Sequence, residues 1–168
     1  MNSKKLIGKI VELRLPEYFV YGICTHDQKE MGQIVFMFDQ KFHTRLTAMQ
    51  ELLDLRKYKT HFRLPLKYIL NEPEINIVAE RELTELEAIL PTFRQAGIKG
   101  IDDPEEGWWL VKGQQSIWIS SLKKEMASFP PDGFPSLSVI TDWYDQNIYP
   151  HSPSELKKGP LDFKIVLH

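Results

Sequence analysis

Three short runs of branched and aromatic residues follow one another near the start of the chain, separated by links of a few residues. They cover residues 8–15, 18–25 and 32–38, and residues of this kind favour extended structure. When short strands are joined by short links, each strand usually pairs with the next one along the chain. The sequence therefore predicts an antiparallel meander, the opening of a curled sheet or small barrel. Gly22, inside the second run, predicts a bulge or a close approach of another segment.

The patterns that follow add short helices and further strands to this meander. They predict a helix over residues 47–55 with Thr47 as its N-cap, strands over 59–64 and 74–80, the latter with Ile75, Ile77 and Ala79 on one side, and a helix over 82–90. Residues 91–106, with two glycines and two prolines, predict a surface connection. The expected fold class is α+β and strand-rich: an antiparallel curled sheet or small barrel with a few short helices.

The strongest local pattern lies in the last third of the chain. Residues 107–113 and 116–120 are rich in tryptophan and branched residues and are separated by two glutamines, which predicts a β-hairpin. Residues 121–129 predict a turn of helix, and residues 161–167 predict a terminal strand. For residues 136–148 the pattern fits a helix and an extended segment equally.

Length and cysteine content indicate one intracellular domain. A chain of 168 residues with 42% hydrophobic residues can bury a core of its own, so residues 1–168 are expected to form a single domain. The single cysteine, Cys24, fits a reducing compartment, and charged residues interrupt any secretory or membrane-spanning run. We expect a soluble cytoplasmic protein that does not enter a membrane.

Charge is nearly balanced overall but unevenly distributed. The formal net charge is −2, which argues against nonspecific attraction to nucleic acid. Residues 41–70 hold seven bases and two acids, a balance of +5, whereas residues 72–106 hold three bases and ten acids, a balance of −7. Two interpretations follow: the blocks are solvated faces that attract each other, or the second block offers an acidic surface to a basic partner.

Motifs for catalysis or metal binding are sparse. The five histidines lack the spacing of a metal site, so folding without a metal or other cofactor is expected. Cys24 and His26 would share one face of a strand, which would place a thiol beside a base. This arrangement supports an alternative hypothesis, a small hydrolase-type enzyme. A buried, structural cysteine followed by a polar turn is the preferred interpretation.

A run of acids directly precedes the predicted hairpin. It consists of Asp102, Asp103, Glu105 and Glu106, and Trp108 and Trp109 follow it. Adjacent strand residues face opposite ways, so one tryptophan is expected in the core and the other is either covered or exposed as an anchor for a partner. These six residues form the predicted partner-binding site.

Aromatic and basic residues alternate over Arg56 to Arg63, as they often do on nucleic-acid-binding surfaces. This stretch supports a second alternative, a nucleic-acid-binding module. With a slightly negative net charge, an edge strand protected by basic residues is the preferred interpretation, and nucleic acid is not expected as a partner.

Three segments of the meander share features with one known family. They are residues 8–16, which end in proline, residues 18–22, which end in Tyr-Gly, and residues 34–39, which close on an aspartate. In this order they resemble the start of the immunity protein 26 family of bacterial toxin systems. The resemblance implies a strand-rich bacterial cytoplasmic protein that binds and neutralises a cognate protein toxin, and it implies no catalytic residues.

Overall fold

A computed structural model of the protein describes residues 6–97, 107–120, 126 and 129–146. Within these residues the fold is α+β and strand-rich, as predicted, with antiparallel sheets of five and three strands and four short helices. The chain divides into two compact units, Met1–Leu90 with Gly133–Ser138 and Pro91–Asp132 with Val139–His168. A single domain over the whole chain stays a prediction.

The first unit contains the predicted meander. Its strands are β1 (Lys9–Arg14), β2 (Phe19–Asp27), β3 (Gln33–Phe38), β4 (Tyr58–Leu64) and β5 (Ile75–Glu80). They are hydrogen-bonded in the order β4-β3-β2-β1-β5, and every neighbouring pair is antiparallel. The sheet is open, with β4 and β5 at its edges, so the described strands form the curled-sheet alternative and not the small barrel.

The centre of this sheet is densely packed. All six residues of β3 are buried, and so are most of β1 and β2. A Cβ added to Gly22 would lie 2.6 Å from Cγ1 of Val35 and 2.7 Å from Sδ of Met37, so the predicted close approach is present. The bulge in β2 lies farther along, where its pairing with β3 shifts between Cys24 and His26.

Strand β5 departs from the predicted alternation. Ile75 and Ala79 are buried, but Ile77 is 38% exposed. The pairing of β1 with β5 shifts between Ile10 and Val11, and such an irregularity locally disturbs the regular alternation of side chains. The sequence predicted these three residues on one side of the strand, and the register shift between Ile77 and Ala79 interrupts the alternation on which that prediction depends.

The first unit contains three short helices: α1 (Met49–Asp54), α2 (Leu66–Ile69) and α3 (Glu85–Ala88). Helix α1 lies where it was predicted, but Thr47 is not its N-cap. Ala48 holds that position and no side chain caps the helix. Helix α3 is shorter than predicted, and its N-cap is Thr84, which forms a capping box with Glu87. The sequence patterns did not predict α2.

The second unit is built on a three-stranded sheet. Its strands are β6 (Phe93–Ala96), β7 (Trp108–Lys112) and β8 (Gln115–Ile119), in the order β6-β7-β8. The predicted hairpin is present as β7 and β8. The predicted surface connection over residues 91–106 was wrong in part, because it includes β6.

The last described helix, α4 (Leu137–Gln146), resolves the open assignment of residues 136–148 in favour of helix. It buries Ile140, Trp143 and Tyr144. The terminal strand predicted over residues 161–167 lies outside the described residues, as do most of residues 121–129. No helix in the described part of the chain is long and apolar enough to cross a membrane.

Candidate functional site

A tight turn aligns the two tryptophan-bearing strands β7 and β8. Gly113 has a φ of +62° at the first position between the strands, as a type II′ hairpin turn requires, and this conformation favours glycine. The turn pairs Trp109 with Trp118 and Leu110 with Ile117. The local sequence therefore fixes which side chains share a face of this sheet.

One face of the sheet is part of the core of the second unit. Trp108 is 3% exposed and clusters with Leu110, and Ile119, Met126 and Phe129 pack against this pair. The guanidinium of Arg94 lies 4.8 Å from the centroid of the Trp108 ring, and its Nε donates a hydrogen bond to the Phe129 carbonyl at 2.8 Å. Of the two predicted anchor tryptophans, Trp108 is the buried one.

The opposite face carries a pair of half-buried tryptophans. Trp109 and Trp118 meet edge to face, with ring centroids 5.1 Å apart. The Trp118 ring also lies against the backbone of Gly97 and Gly107, where an added Cβ would come within 2.5 Å of a ring carbon in each case. Two glycines and a neighbouring indole thus fix the Trp118 ring, and Trp109 retains partly exposed aromatic surface.

The predicted acidic residues lie outside the described residues, but the points where their segment leaves and rejoins the sheet are described. The backbone N–H of Gly97 donates to the carbonyl of Gly107 at 3.0 Å. Both glycines contact the ring of Trp118. The segment with Asp102, Asp103, Glu105 and Glu106 therefore begins and ends beside Trp118, which in turn contacts Trp109. The two glycines that bracket the acidic segment in the sequence thus lie beside the tryptophan pair.

Cys24 and His26 do not form a catalytic pair in this structure. The bulge between them interrupts the alternation that would place them on one face. Burial raises the pKa of the Cys24 thiol to about 12. The ring nitrogens of His26 contact the Thr25 hydroxyl at 2.9 Å and the Ala88 carbonyl at 3.2 Å, and burial lowers the pKa of His26. In the part of the chain that the structure describes, no three His, Cys, Asp or Glu residues are grouped for a metal ion.

The basic stretch Arg56 to Arg63 makes mostly intramolecular contacts. Arg56 donates to the carbonyls of Leu53 and Leu55 at the end of α1, and Arg63 is buried and donates to Gln28. Lys57 pairs with Asp39 at 3.1 Å. The strand in this stretch, β4, is an edge strand, as the preferred interpretation predicted. Its charges therefore have structural functions that do not require nucleic acid.

Sequence patterns did not reveal a buried polar cluster centred on Glu12. Its side chain is fully buried and accepts hydrogen bonds from Tyr21 at 3.1 Å and Asn76 at 3.4 Å. Arg45, half exposed, pairs with it at 2.8 Å, and the Tyr21 hydroxyl accepts a bond from the Leu46 N–H at 2.9 Å. Burial is the main reason why the pKa of Tyr21 is raised to about 12. These bonds fasten the segment between β3 and α1 to the sheet.

A second buried carboxylate belongs to the capping box of α3. Glu87 accepts two bonds from Arg81, at 2.6 and 2.8 Å, one from Tyr58 and one from the Thr84 N–H at 2.7 Å. Burial raises the pKa of Glu87, but these hydrogen bonds outweigh that effect and lower it to about 2. The carboxylate accepts from four donors and joins β4 to α3.

Relatives do not add to this picture. Comparison of the chain with protein-family models, curated proteins and solved structures gave no match. Among the described residues, the Trp109–Trp118 pair and the adjoining Gly97 and Gly107 form a distinctive surface.

Proposed function

We propose that the protein acts by binding another protein, and that this partner is a basic toxin which the protein neutralises in the bacterial cytoplasm. The observation that carries the proposal is the junction at Gly97 and Gly107, where a segment with four acids starts and ends against the Trp118 ring. Tryptophans anchor protein interfaces well, and nearby acids attract a basic partner. Trp109, the half-buried neighbour of Trp118, is the proposed anchor.

The resemblance of residues 8–39 to the immunity protein 26 family supports the identity of the partner as a toxin. An inhibitor of this kind needs a stable surface and no reactive group. A Glu87 whose pKa is lowered to about 2 and a Cys24 whose pKa is raised to about 12 agree with that requirement. Burial of Cys24 and of Arg63 gives the enzyme and nucleic-acid alternatives less support than the protein-binding proposal has.

The proposal is tested by capture followed by a growth assay. The tagged protein is used to capture a partner from its own host, and the captured protein is then expressed with and without the chain. We expect the partner to arrest growth by itself and the chain to relieve the arrest. Trp109→Ala should weaken relief, whereas Tyr68→Ala, which removes an aromatic side chain that is 82% exposed in the first unit, should not. A partner that is harmless when expressed alone would exclude the toxin assignment.

A further inference from the structure

The edges of the two sheets are not protected equally. Unpaired edge strands invite pairing with another chain, and natural proteins guard them with charges, coverage or irregularity. Strand β4 carries Lys59 and His61, and β5 ends in Glu80 and contacts α1. These two edges of the first unit are therefore guarded.

The second unit has one covered edge and one bare edge among the residues that the structure describes. At β6, the backbone of Arg94 bonds to Pro130 at 2.9 Å and to Asp132 at 2.8 Å, so another segment covers this strand. At β8, residues 113–122 contain no charged side chain. Ile117, in the middle of β8, is 61% exposed. An uncharged edge with an exposed branched residue is the opposite of a guarded one.

An apolar cavity borders this edge. It has a volume of about 310 Å³ and is lined by Leu110, Ile117, Met126 and Phe129, with Thr92, Lys112, Gln115 and Ser116 around them. Three consecutive residues of β8 contribute to its wall. Since alternate residues of an added strand point to the same face, such a strand would direct one side chain in two toward this cavity.

We propose that β8 is a strand-addition site, which takes an extended segment of another protein with apolar side chains at alternate positions. The segment pairs with the outer edge of β8 by backbone hydrogen bonds, which give affinity, and one apolar side chain enters the cavity, which gives selectivity. This inference rests on the proposed function insofar as the segment belongs to the same protein partner. The Trp109–Trp118 pair then lies beside the added strand, since Trp118 belongs to β8.

The test uses a phage-displayed library of random ten-residue peptides, selected on the full-length protein. We expect enrichment of peptides with alternating apolar residues. A synthetic peptide with an enriched sequence should bind the Ile117→Lys variant at least tenfold more weakly than it binds the unmodified chain. Ile89→Lys, which places the same charge at an isoleucine that is 56% exposed in the first unit, is the matched control and should bind like the unmodified chain. Ile117→Thr, which keeps a strand-forming residue but loses the apolar group, should show an intermediate loss.

Amide hydrogen exchange locates the bound peptide. New protection in β8 supports the proposal. Absence of enriched peptides, equal binding to Ile117→Lys, or protection confined to other elements would overturn it. If the chain forms a concentration-dependent dimer and Ile117→Lys abolishes that dimer, the edge binds a second copy of the chain, and this result would also overturn the proposal. If peptides bind at β8 but no toxin partner is found, only the proposed function is contradicted. If a toxin partner binds the Ile117→Lys variant as well as it binds the unmodified chain, only the strand-addition site is contradicted.

Discussion

Burial determines the reactivity of Cys24. The thiol lies within β2, and its pKa is raised to about 12, mainly by burial and further by the nearby charge of Asp27. Because the thiolate is the reactive form, we expect native Cys24 to react with a thiol reagent at neutral pH at least a hundredfold more slowly than in denaturant. Rapid labelling of the folded chain, measured by mass spectrometry, would revive Cys24 as a nucleophile.

Glu87 makes the first unit sensitive to acid. Its folded pKa of about 2 lies below the ordinary value of 4.5, so its bonds contribute stability that is complete above pH 4.5 and is lost as the pH falls toward 2. At neutral pH we expect Glu87→Gln to cost about 3 kcal/mol in the free energy of unfolding, because Arg81 then loses its buried partner. The difference between the two proteins should shrink below pH 4.5.

Urea unfolding at several pH values measures this difference. Glu85→Gln, an exposed position in the same helix, is the matched control and should change stability by no more than about 0.5 kcal/mol. A difference between the native chain and Glu87→Gln that stays constant through the acid range would contradict the assigned pKa.

At the scale of elements, the bonds of Glu12 and Tyr21 hold the segment that connects β3 to α1. Tyr21→Phe removes the hydroxyl that accepts from the Leu46 N–H and donates to Glu12. We expect a loss of about 1–2 kcal/mol in stability and faster hydrogen exchange at Leu46. Tyr68→Phe, where the side chain is 82% exposed, should change neither quantity. Unchanged exchange at Leu46 would show that other contacts hold this segment.

Strands with strong local patterns were predictable, and elements defined by distant contacts were not. The meander and the hairpin follow from branched and aromatic runs and from turn residues such as Gly113. Strand β6 was missed because it is only four residues long and lies in a segment with prolines and glycines, where pairing with β7 overrides local preference. Thr47 was wrong as a cap because the first turn of α1 begins one residue later than its pattern indicates.

The candidate site was predictable only in part. Alternation correctly indicated that Trp108 and Trp109 face opposite ways, and burial then identified Trp108 as the core residue. The contacts of Trp118 with Gly97 and Gly107 depend on pairing across the second sheet, which one sequence does not specify. For the same reason the Glu12 cluster was missed, since its partners come from β2, β5 and the segment before α1.

At the scale of the whole molecule, several basic side chains in the described part of residues 41–70 pair with acids outside the acidic block. In the basic block, Arg45, Lys57 and Lys67 pair with Glu12, Asp39 and Asp27, all of which precede residue 41. In the acidic block, Glu87 pairs with Arg81 of the same block. These described pairs leave both interpretations of the charge pattern as predictions.

The most direct measurement of the central claim is the rate at which the captured partner associates with a charge-neutralised variant. Asp102, Asp103, Glu105 and Glu106 are replaced by their amides, and the matched control neutralises the exposed acids Glu17, Glu30, Glu72 and Glu82, which changes the net charge equally. We predict roughly tenfold slower association for the first variant at low salt, a smaller effect as salt rises, and an unchanged melting temperature. An association rate equal to that of the unmodified chain, or an equal decrease in the control, would contradict binding through this surface.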